Sequence, residues 1–572
     1  MKSIIRYKIS IALSLVLMLS SNSCTDLDET LYDRITSETF LQTKDDVIRD
    51  FLRSFEHGYW SIQGGGLYYA QELSGDQLMT PNRDGDWFDG GVYQRSHYHT
   101  WTDQDNYTND MWNALYQGIS LATNSLEDIE KIDPVKFGLT EAEKADFIAE
   151  LRALRAWYHL RAFDLYRNIP IVTKVKGESF MPEQSTPQEV FNFLEKELLE
   201  AIPNLPTREA LGENAIGRWT KGGAAALLVR LYLNAKVYID QEKYAECATI
   251  CENFMEGDYG DYQIESRWDA PFDYTNVTSP EVVFGFPSSF SRTHWHYSGD
   301  MFGWMAPHQA GKYFGLDVIG FNTRFALQPG RDVDSVEYPF ALGKPFVKFQ
   351  KYPDDLRLKK YRNLGNSTRE GMFLYGYLPY FDAAQGKIVN LKSNRGYTIF
   401  SRDQVGFFKD TPPGQALEDK VSNMNHADDN SGVWLVKYPF YPTADANKLA
   451  SAYAEIRYAE IYYSLAECKY RAGDKAAAAA LLNTVRKRNY PEGSTSLYSV
   501  SGSELTDIEM LDEWGREFIG EGRRRTDLVR WGVFNSGTWW DKLPDTDDHT
   551  KIYPIGRNIM TLSTNLKPNP GY

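Results

Sequence analysis

The fold is decided near the C-terminal end of the chain, where residues 453–491 read YAEIRYAEIYYSLAECKYRAGDKAAAAALLNTVRKRNYP. Apolar residues recur there at steps of three and four and so share one stripe of an α-helix: Ala452, Ile456, Ala459, Tyr463, Ala466 and Tyr470. Gly473 can end this helix in a left-handed conformation, and Asp474 can cap the next one. The second helix is expected to stop at Asn489, because Pro491 cannot donate the next helical hydrogen bond. The stretch predicts two antiparallel helices joined by a very short turn.

A degenerate second copy of this hairpin lies upstream in the chain. The two copies share one spacing, at Ala235, Cys247, Cys251 and Phe254 and at Ala466, Ala478, Leu482 and Val485. The pattern is typical of tetratricopeptide-type hairpins, which stack because no single hairpin buries its own apolar face. Further helices are predicted from Thr43 onward and over residues 107–132, 141–166, 185–201 and 517–530. We therefore expect a mostly α fold, a tetratricopeptide-like helical repeat superhelix.

Between residues 257 and 447 the helical periodicity fails, and Gly, Pro, Asn and aromatic residues dominate. Such a stretch is too long for a surface loop, so it predicts an irregular inserted lobe of short strands and turns, with one strand within residues 433–438. The expected organisation is a signal peptide at 1–23, an N-terminal repeat part at 24–256, the lobe at 257–447 and a C-terminal repeat part at 448–572.

The N-terminus carries Lys2, Arg6 and Lys8, followed by an apolar run at residues 9–19 and by Cys24. This is an export signal, too short for a mature membrane helix. A cysteine at that point resembles the lipid-attachment site of a bacterial lipoprotein, and the alternative is an ordinary secretory signal. Removal of residues 1–23 takes away three basic and no acidic residues, so the formal charge falls from −16 to −19. Nucleic acid is thereby excluded as a partner.

Three cysteines remain after Cys24: Cys247, Cys251 and Cys468. An odd number argues against a disulfide framework in an exported chain. Because Cys247 and Cys251 share an inward helix face, we interpret all three as small buried hydrophobic residues rather than as a metal or redox group.

Several passages together resemble a known family, namely residues 27–47, 112–124, 150–170, 217–232, the helix pair from residue 455, 513–531 (EWGREFIGEGRRRTDLVRW) and 554–572. They are similar to SusD/RagB outer-membrane lipoproteins of Bacteroidetes. The most specific passage contains Glu521, Arg523, Arg524, Asp527 and Arg530. We interpret these charges as an ion-pair network that holds the last helix against the repeats, with no catalytic role.

The resemblance implies a cell-surface, lipid-anchored protein of the outer membrane that captures nutrient, most often oligosaccharide. It also implies delivery to a partner, a SusC-like TonB-dependent transporter. In such proteins the helical repeats serve assembly, and the ligand site lies in the irregular part.

Residues 81–102 are dense in Gly, Asp and aromatic residues and are predicted to form a long loop. Within it, residues 82–88 (NRDGDWF) combine the two kinds of group that bind sugars. Aromatic faces cover the C–H surface of a sugar ring, and charged groups such as Arg83 and Asp86 meet its hydroxyls. Trp87 resembles the tryptophan that contributes to the glycan site in many SusD-like proteins; the alternative is a core position. By the same resemblance the lobe supplies the opposite wall, with Trp295 and Trp304 as candidates, whereas Trp101 and Trp112 are assigned to the core.

Other chemistry is poorly supported by the sequence. The pairs His97/His99 and His294/His296 could chelate a metal only if each lay on a strand, and residues 82–93 lack the glycine and glutamate of a calcium loop. The motifs of zinc proteases, P-loop nucleotidases and serine hydrolases are missing. We therefore expect neither an enzyme nor a cofactor. The alternatives kept open are a peptide-capturing lipoprotein of the same build and a secreted glycosidase.

Overall fold

The computed structural model describes residues 41–175, 182–288, 302–316, 320–409, 411–443 and 449–572. The protein is mostly α, as the sequence predicts. The helices are α1 (Lys44–Gln63), α2 (Leu67–Glu72), α3 (Val92–Tyr98), α4 (Asn106–Lys131), α5 (Glu141–Tyr166), α6 (Pro187–Ala201), α7 (Arg208–Leu211), α8 (Lys221–Leu233), α9 (Ala235–Ile239), α10 (Tyr244–Glu256), α11 (Ala310–Phe314), α12 (Pro345–Gln350), α13 (Tyr458–Arg471), α14 (Lys475–Arg486), α15 (Asp507–Glu517), α16 (Arg524–Arg530) and α17 (Arg557–Leu562).

The long helices begin where their capping residues predict. Thr43, Thr140 and Thr186 each accept a hydrogen bond from an amide in the first helical turn, and a carboxylate three residues later bonds back to each cap. Such reciprocal caps satisfy amides that have no partner within the helix. The predicted helices of residues 107–132, 141–166 and 185–201 are therefore confirmed within two residues.

The predicted C-terminal hairpin is present as α13 and α14, which pack against each other. Gly473 has a φ of +87°, the left-handed conformation expected at the turn. Asp474 caps α14 by accepting from the amide of Ala477 at 2.9 Å. Cys247, Cys251 and Cys468 are buried and free, which agrees with their interpretation as small core residues. The tetratricopeptide-like architecture is confirmed.

The start of the first C-terminal helix was predicted wrongly. Residues 453–457 form a strand (Tyr453–Arg457) that pairs antiparallel with Val282–Phe286, and the helix begins only at Tyr458. All five strand residues are buried. Pairing with a distant segment overrides the local helical pattern, in which Ala452 and Ile456 continue the stripe.

Residues 517–530 do not form the single helix that was predicted; they contain the last residue of α15 and the whole of α16. Helix α15 ends at Glu517, α16 begins at Arg524, and between them Gly520 and Gly522 adopt φ values of +71° and +70°. The expected ion-pair network is nevertheless present. Arg530 Nε lies 2.9 Å from Glu467 Oε1, and Arg523 Nη1 lies 3.0 Å from Glu460 Oε1. Because both glutamates belong to α13, the network joins α16, the helix of the charged passage, to the repeats as predicted.

The inserted lobe consists of short strands and turns, as expected. Its strands pair two by two, and the strand predicted within residues 433–438 is Trp434–Leu435, paired with Phe373–Leu374. The other strands of the described chain are Leu78–Met79, Ala326–Leu327, Arg362–Gly365, Thr368–Glu370, Gly376–Tyr377, Pro379–Asp382, Lys387–Asn390 and Phe400–Ser401. No helix in the described ranges has the length and apolar content needed to cross a membrane. The exact boundaries of the lobe stay a prediction.

Candidate functional site

A two-stranded sheet brings the aromatic loop of the N-terminal part to the lobe. Leu78 pairs with Leu327, and Met79 pairs with Ala326. The loop begins three residues after the first strand ends, and Arg324 lies two residues before the second begins. The register of this sheet therefore places Trp87 and Arg324 in contact although they are far apart in the sequence.

The centre of the site is a guanidinium group surrounded by aromatic rings. Arg324 Cζ lies 4.4 Å from the ring centre of Trp87 and 4.3 Å from that of Trp304, and both rings are half-buried. Tyr69 accepts a hydrogen bond from Arg324 Nη1, and its ring stacks with Trp304 at 6.3 Å. Tyr93 meets Trp87 edge to face at 6.4 Å. We call Tyr69, Trp87, Tyr93 and Trp304 the aromatic cluster.

Trp87 is held in a conformation that bulky residues rarely adopt. Its φ is +63°, and its indole Nε1 donates a hydrogen bond to Thr323 Oγ1 at 3.1 Å. Asp84 and Asp89, in the same loop, also have positive φ. Left-handed backbone at residues other than glycine is typical of sites where geometry serves binding. The loop therefore fixes the direction of the indole face.

Arg83 occupies a different place from the one expected. Its side chain is fully buried and donates to three backbone carbonyls, those of Thr323, Asp428 and Ser431, at 2.7–3.0 Å. Burial lowers the pKa of the guanidinium to about 10. The guanidinium also lies 4.6 Å from the ring centre of Trp434. Arg83 thus supports the loop from inside, and its burial leaves it no surface for contacting a ligand.

Asp86 remains at the surface of the loop. Its Oδ2 lies 3.1 Å from Arg395 Nη2, and 44% of its side chain is exposed. Arg395 also approaches Asp84, with 3.7 Å between Nε and Oδ2. The loop is therefore clamped to the lobe by a charged pair that the sequence alone did not indicate.

A cavity of about 360 Å³ adjoins the aromatic cluster and shares Tyr69 and Tyr93 with it. Its polar lining includes Asp89, which accepts from Tyr93 Oη at 2.9 Å. Burial raises the pKa of both tyrosines, so their hydroxyls keep their protons at neutral pH. The size lies within the usual range for small-molecule sites. Rings, hydroxyls and an open cavity are thus combined at one place.

Another cavity, of about 610 Å³, lies beside α6, α9 and α16. Tyr238 is the one aromatic residue among the described residues that line it, and that side chain is buried. A third, of about 210 Å³, lies between Arg208, Tyr262 and strand Val282–Phe286. Neither cavity shares a described residue with the aromatic cluster, whereas the cavity of about 360 Å³ shares two.

The structure brings two of the predicted tryptophans together, since Trp87 and Trp304 flank the same arginine. Trp295 lies outside the described residues, as do His294, His296 and Cys24. Trp101 and Trp112 are buried, which confirms their assignment to the core. Tyr69, Tyr93 and Arg324 were missed by the sequence analysis. Tyr93 falls within the loop predicted at residues 81–102, but no local signal marks Tyr69 or Arg324.

The predicted long loop contains a helix, α3, which begins after two left-handed glycines. His97 lies on this helix and His99 just after it, so the strand arrangement needed for chelation is not formed. His97 Nε2 lies 2.6 Å from Asp541 Oδ1, and His99 Nδ1 lies 2.8 Å from Asp545 Oδ2. In the described ranges no group of three or more His, Cys, Asp or Glu is arranged to hold a metal ion.

Two sequence models of protein families match the chain. The one described as "SusD family" matches residues 418–572, and the one described as "Starch-binding associating with outer membrane" matches residues 68–233. A curated relative, the starch-binding protein SusD of Bacteroides thetaiotaomicron, is 24% identical over 453 residues, which cover 76% of this chain and 74% of the relative.

Solved structures share the fold over nearly the whole chain. Surface glycan-binding protein A from Bacteroides thetaiotaomicron gives a TM-score of 0.65 at 16% identity, covering 93% of this chain and 100% of that one. A laminarin-binding SusD-like protein gives 0.63 at 19% identity, with coverages of 93% and 100%. These structural likenesses, the two family matches and the curated relative agree. Together they identify the chain as SusD-like.

Proposed function

We propose that the protein binds oligosaccharide at the aromatic cluster. The observation that carries this proposal is the pair of half-buried tryptophans, Trp87 and Trp304, beside a cavity of about 360 Å³. An indole face covers the apolar C–H surface of a sugar ring, and nearby hydroxyl and carboxylate groups bond to the sugar's hydroxyls. Asp86 pairs with Arg395 but is 44% exposed, and the hydroxyls of Tyr69 and Tyr93 bond with Arg324 and Asp89; each oxygen keeps a further lone pair for a sugar hydroxyl. Arg83 is not included, because it is buried.

The relatives support the same class of ligand. One curated relative is named for binding starch, and one solved structure for binding laminarin. Both names refer to neutral glucans, but sequence identities of 24% and 19% are too low to assign a particular sugar to this chain. We propose capture without turnover: among the described residues that line the cavity, Asp89 accepts from Tyr93 and Asp105 pairs with Arg95, so Asp110 has no second free carboxylate beside it to complete a glycosidase pair.

We further propose that the protein is lipid-anchored through Cys24 at the cell outer membrane and passes its ligand to a SusC-like TonB-dependent transporter. One matching family is described as associating with the outer membrane, which supports the location. Cys24→Ala should release the protein from membranes into soluble fractions, as measured by fractionation of cells. Retention in the membrane would argue for another anchor. Co-purification in mild detergent tests the transporter complex.

The binding site is tested with Trp87→Ala. A glycan array first identifies the oligosaccharide that the wild type binds most tightly, and calorimetry then compares the variants. Truncation of a central aromatic contact typically costs about 2 kcal/mol, so binding should weaken roughly 30-fold. The matched control is Trp531→Ala. Trp531 is also half-buried under a guanidinium, that of Arg471 at 4.4 Å, but it lies at the end of α16.

The control should keep the wild-type affinity. Equal affinity of wild type and Trp87→Ala, with unchanged melting curves, would place the glycan site elsewhere. Absence of binding to every glycan on the array would count against the proposed function itself.

A further inference from the structure

We propose that the ligand is an anionic oligosaccharide, and that Arg324 holds its carboxylate or sulfate group through Nη2 of the guanidinium. This inference rests on the proposed function, because it concerns the same aromatic cluster. It goes further by naming the charge of the sugar.

The argument starts from the hydrogen bonds of Arg324. Nη1 donates to Tyr69 Oη. Nε is buried and has no hydrogen-bond partner. Within the part of the chain that the structure describes, Nη2 also lacks an acceptor, and no carboxylate pairs with Arg324. Among the described residues this edge therefore has no acceptor, and Nη2, which unlike Nε is not buried, is the atom that a ligand can reach.

The same edge holds a carboxylate elsewhere in this protein. Nε and Nη2 together contact one acidic side chain in these pairs: Arg95–Asp105, Arg155–Glu197, Arg267–Asp269, Arg524–Asp76 and Arg530–Glu467. Two parallel N–H groups match the two oxygens of a carboxylate or sulfate, which is why arginine serves for such groups. In Arg324 the same Nε–Nη2 edge has no acidic side chain beside it among the described residues.

The aromatic rings stabilise the positive charge but do not neutralise it. The ring centres of Trp87 and Trp304 lie 4.4 and 4.3 Å from Arg324 Cζ, close enough for cation–π attraction. The neighbouring acids are engaged elsewhere, Asp86 with Arg395 and Asp89 with Tyr93. A hydrogen bond to a charged acceptor is stronger than one to a sugar hydroxyl. A ligand with an acidic group therefore gains more from this edge than a neutral ligand of the same shape.

The rings and the charge together describe the ligand. An indole face suits a pyranose ring, and the guanidinium lies against both indoles, so the acidic group that meets Nη2 should be a substituent of the ring that stacks. A uronate carboxylate and a sulfate ester both meet this requirement. A formal charge of −16 for the whole chain repels anions at long range, and added salt screens that repulsion. Matched sugars at one ionic strength are thus a cleaner measure than salt dependence.

The test compares acidic sugars with neutral partners of the same length by calorimetry. One pair is an α-1,4-galacturonate hexasaccharide and its full methyl ester; the other is a sulfated galactan hexasaccharide and its desulfated form. Maltohexaose and laminarihexaose serve as neutral glucans. The wild type should bind the acidic member of at least one pair ten times or more tightly than its neutral member. The pair that shows the preference distinguishes uronate from sulfate.

Variants then assign the preference to the guanidinium edge. Arg324→Gln should reduce affinity for the acidic member to that of the neutral one, and Arg324→Lys should restore only part of the difference. The matched control is Arg471→Gln. Arg471 lies over Trp531 in the same way, but its Nε–Nη2 edge is occupied by Glu467. That control should keep the full preference.

The inference is overturned if the wild type binds neutral and acidic members equally, or binds only the neutral glucans. It is also overturned if Arg324→Gln weakens both members of a pair by the same factor, because Arg324 would then only support the rings. In both cases the proposed glycan binding stands. If the wild type binds none of the six sugars, the inference is rejected and the array decides the proposed function separately. Should Arg324→Gln fail to fold, the wild-type preference and Arg324→Lys decide the question.

Discussion

Arginines stand among aromatic rings in two regions of this molecule, but their charges are balanced differently. At the junction of the repeats and the lobe, Arg457 lies 5.0 Å from the ring of Phe272, is fully buried, and pairs with Glu281, Glu517 and Glu521. In the aromatic cluster, Arg324 lies between two half-buried tryptophans and has no carboxylate partner among the described residues.

The difference separates structural charge from charge available to a ligand. Buried ions must be paired to be tolerated, so the junction has its anions built in. The cluster, at the surface, can leave its cation unpaired because water and ring faces stabilise it in the absence of ligand. In our proposal, similar residue types hold the fold together in one region and receive a ligand in the other.

The largest loss in the free energy of unfolding is expected from Arg457→Ala. The change leaves three carboxylates buried without their shared cation, which typically costs about 3–5 kcal/mol. The free energy of unfolding, from urea titration followed by circular dichroism, should fall by that amount. Arg362→Ala is the control, since that arginine is largely exposed and pairs with Glu370 at the surface. A surface pair contributes about 1 kcal/mol or less. Equal losses in the two variants would contradict the distinction between buried and exposed charge.

A slightly smaller loss in the free energy of unfolding, which depends on pH, is expected from Glu460→Gln. Arg230 and Arg523 pair with this buried carboxylate and lower its pKa from an ordinary 4.5 to about 2, although burial alone opposes the change. The folded state therefore binds its proton less readily than the unfolded chain does. The stabilisation is present above pH 4.5 and is lost as the pH falls towards 2.

Two and a half pKa units correspond to roughly 3 kcal/mol at neutral pH. Wild type and Glu460→Gln should accordingly differ by about that amount at pH 7 and converge near pH 2. Urea titrations across this range measure the gap. A gap that stays constant with pH would show that Glu460 acts through packing rather than through its charge.

The smallest effect on stability is expected from Trp87→Ala, the variant that should weaken binding most. Trp87 is half-buried and lies in a loop outside the repeats, so its loss should change the free energy of unfolding by about 1 kcal/mol or less. Thermal melting, measured together with the binding assay, shows whether Trp87→Ala weakens glycan binding without lowering the stability of the fold. A large drop in the melting temperature would assign Trp87 to the core of the lobe.

The sequence predicted best the elements whose signals are local. Thr43, Thr140, Thr186 and Asp474 each mark a helix start within a few residues, and helical spacing identifies the faces that are buried. The strand Tyr453–Arg457 could not be predicted this way, because its partner strand Val282–Phe286 lies far away in the chain. Local propensity has no information about such pairing.

The candidate site was harder to predict than the helices, because its residues come from segments that are far apart in the chain. Trp87 could be proposed from its loop because glycines and charges surround it in the sequence. Arg324 could not, since its role depends on rings from Tyr69, Trp87 and Trp304, which come from three separate segments. Arg83 was misplaced for the same reason. Only the fold shows that the carbonyls of the lobe, rather than a ligand, surround its guanidinium.

The short sheet that joins Leu78–Met79 to Ala326–Leu327 has a consequence for how this protein can change. It fixes the ends of two segments by backbone hydrogen bonds, which do not depend on the side chains displayed nearby. The rings and the arginine of the site can therefore be replaced one at a time while the anchoring register and the helical body persist. A scaffold of this kind lets a lineage acquire new sugar preferences through few substitutions, each with little penalty in folding.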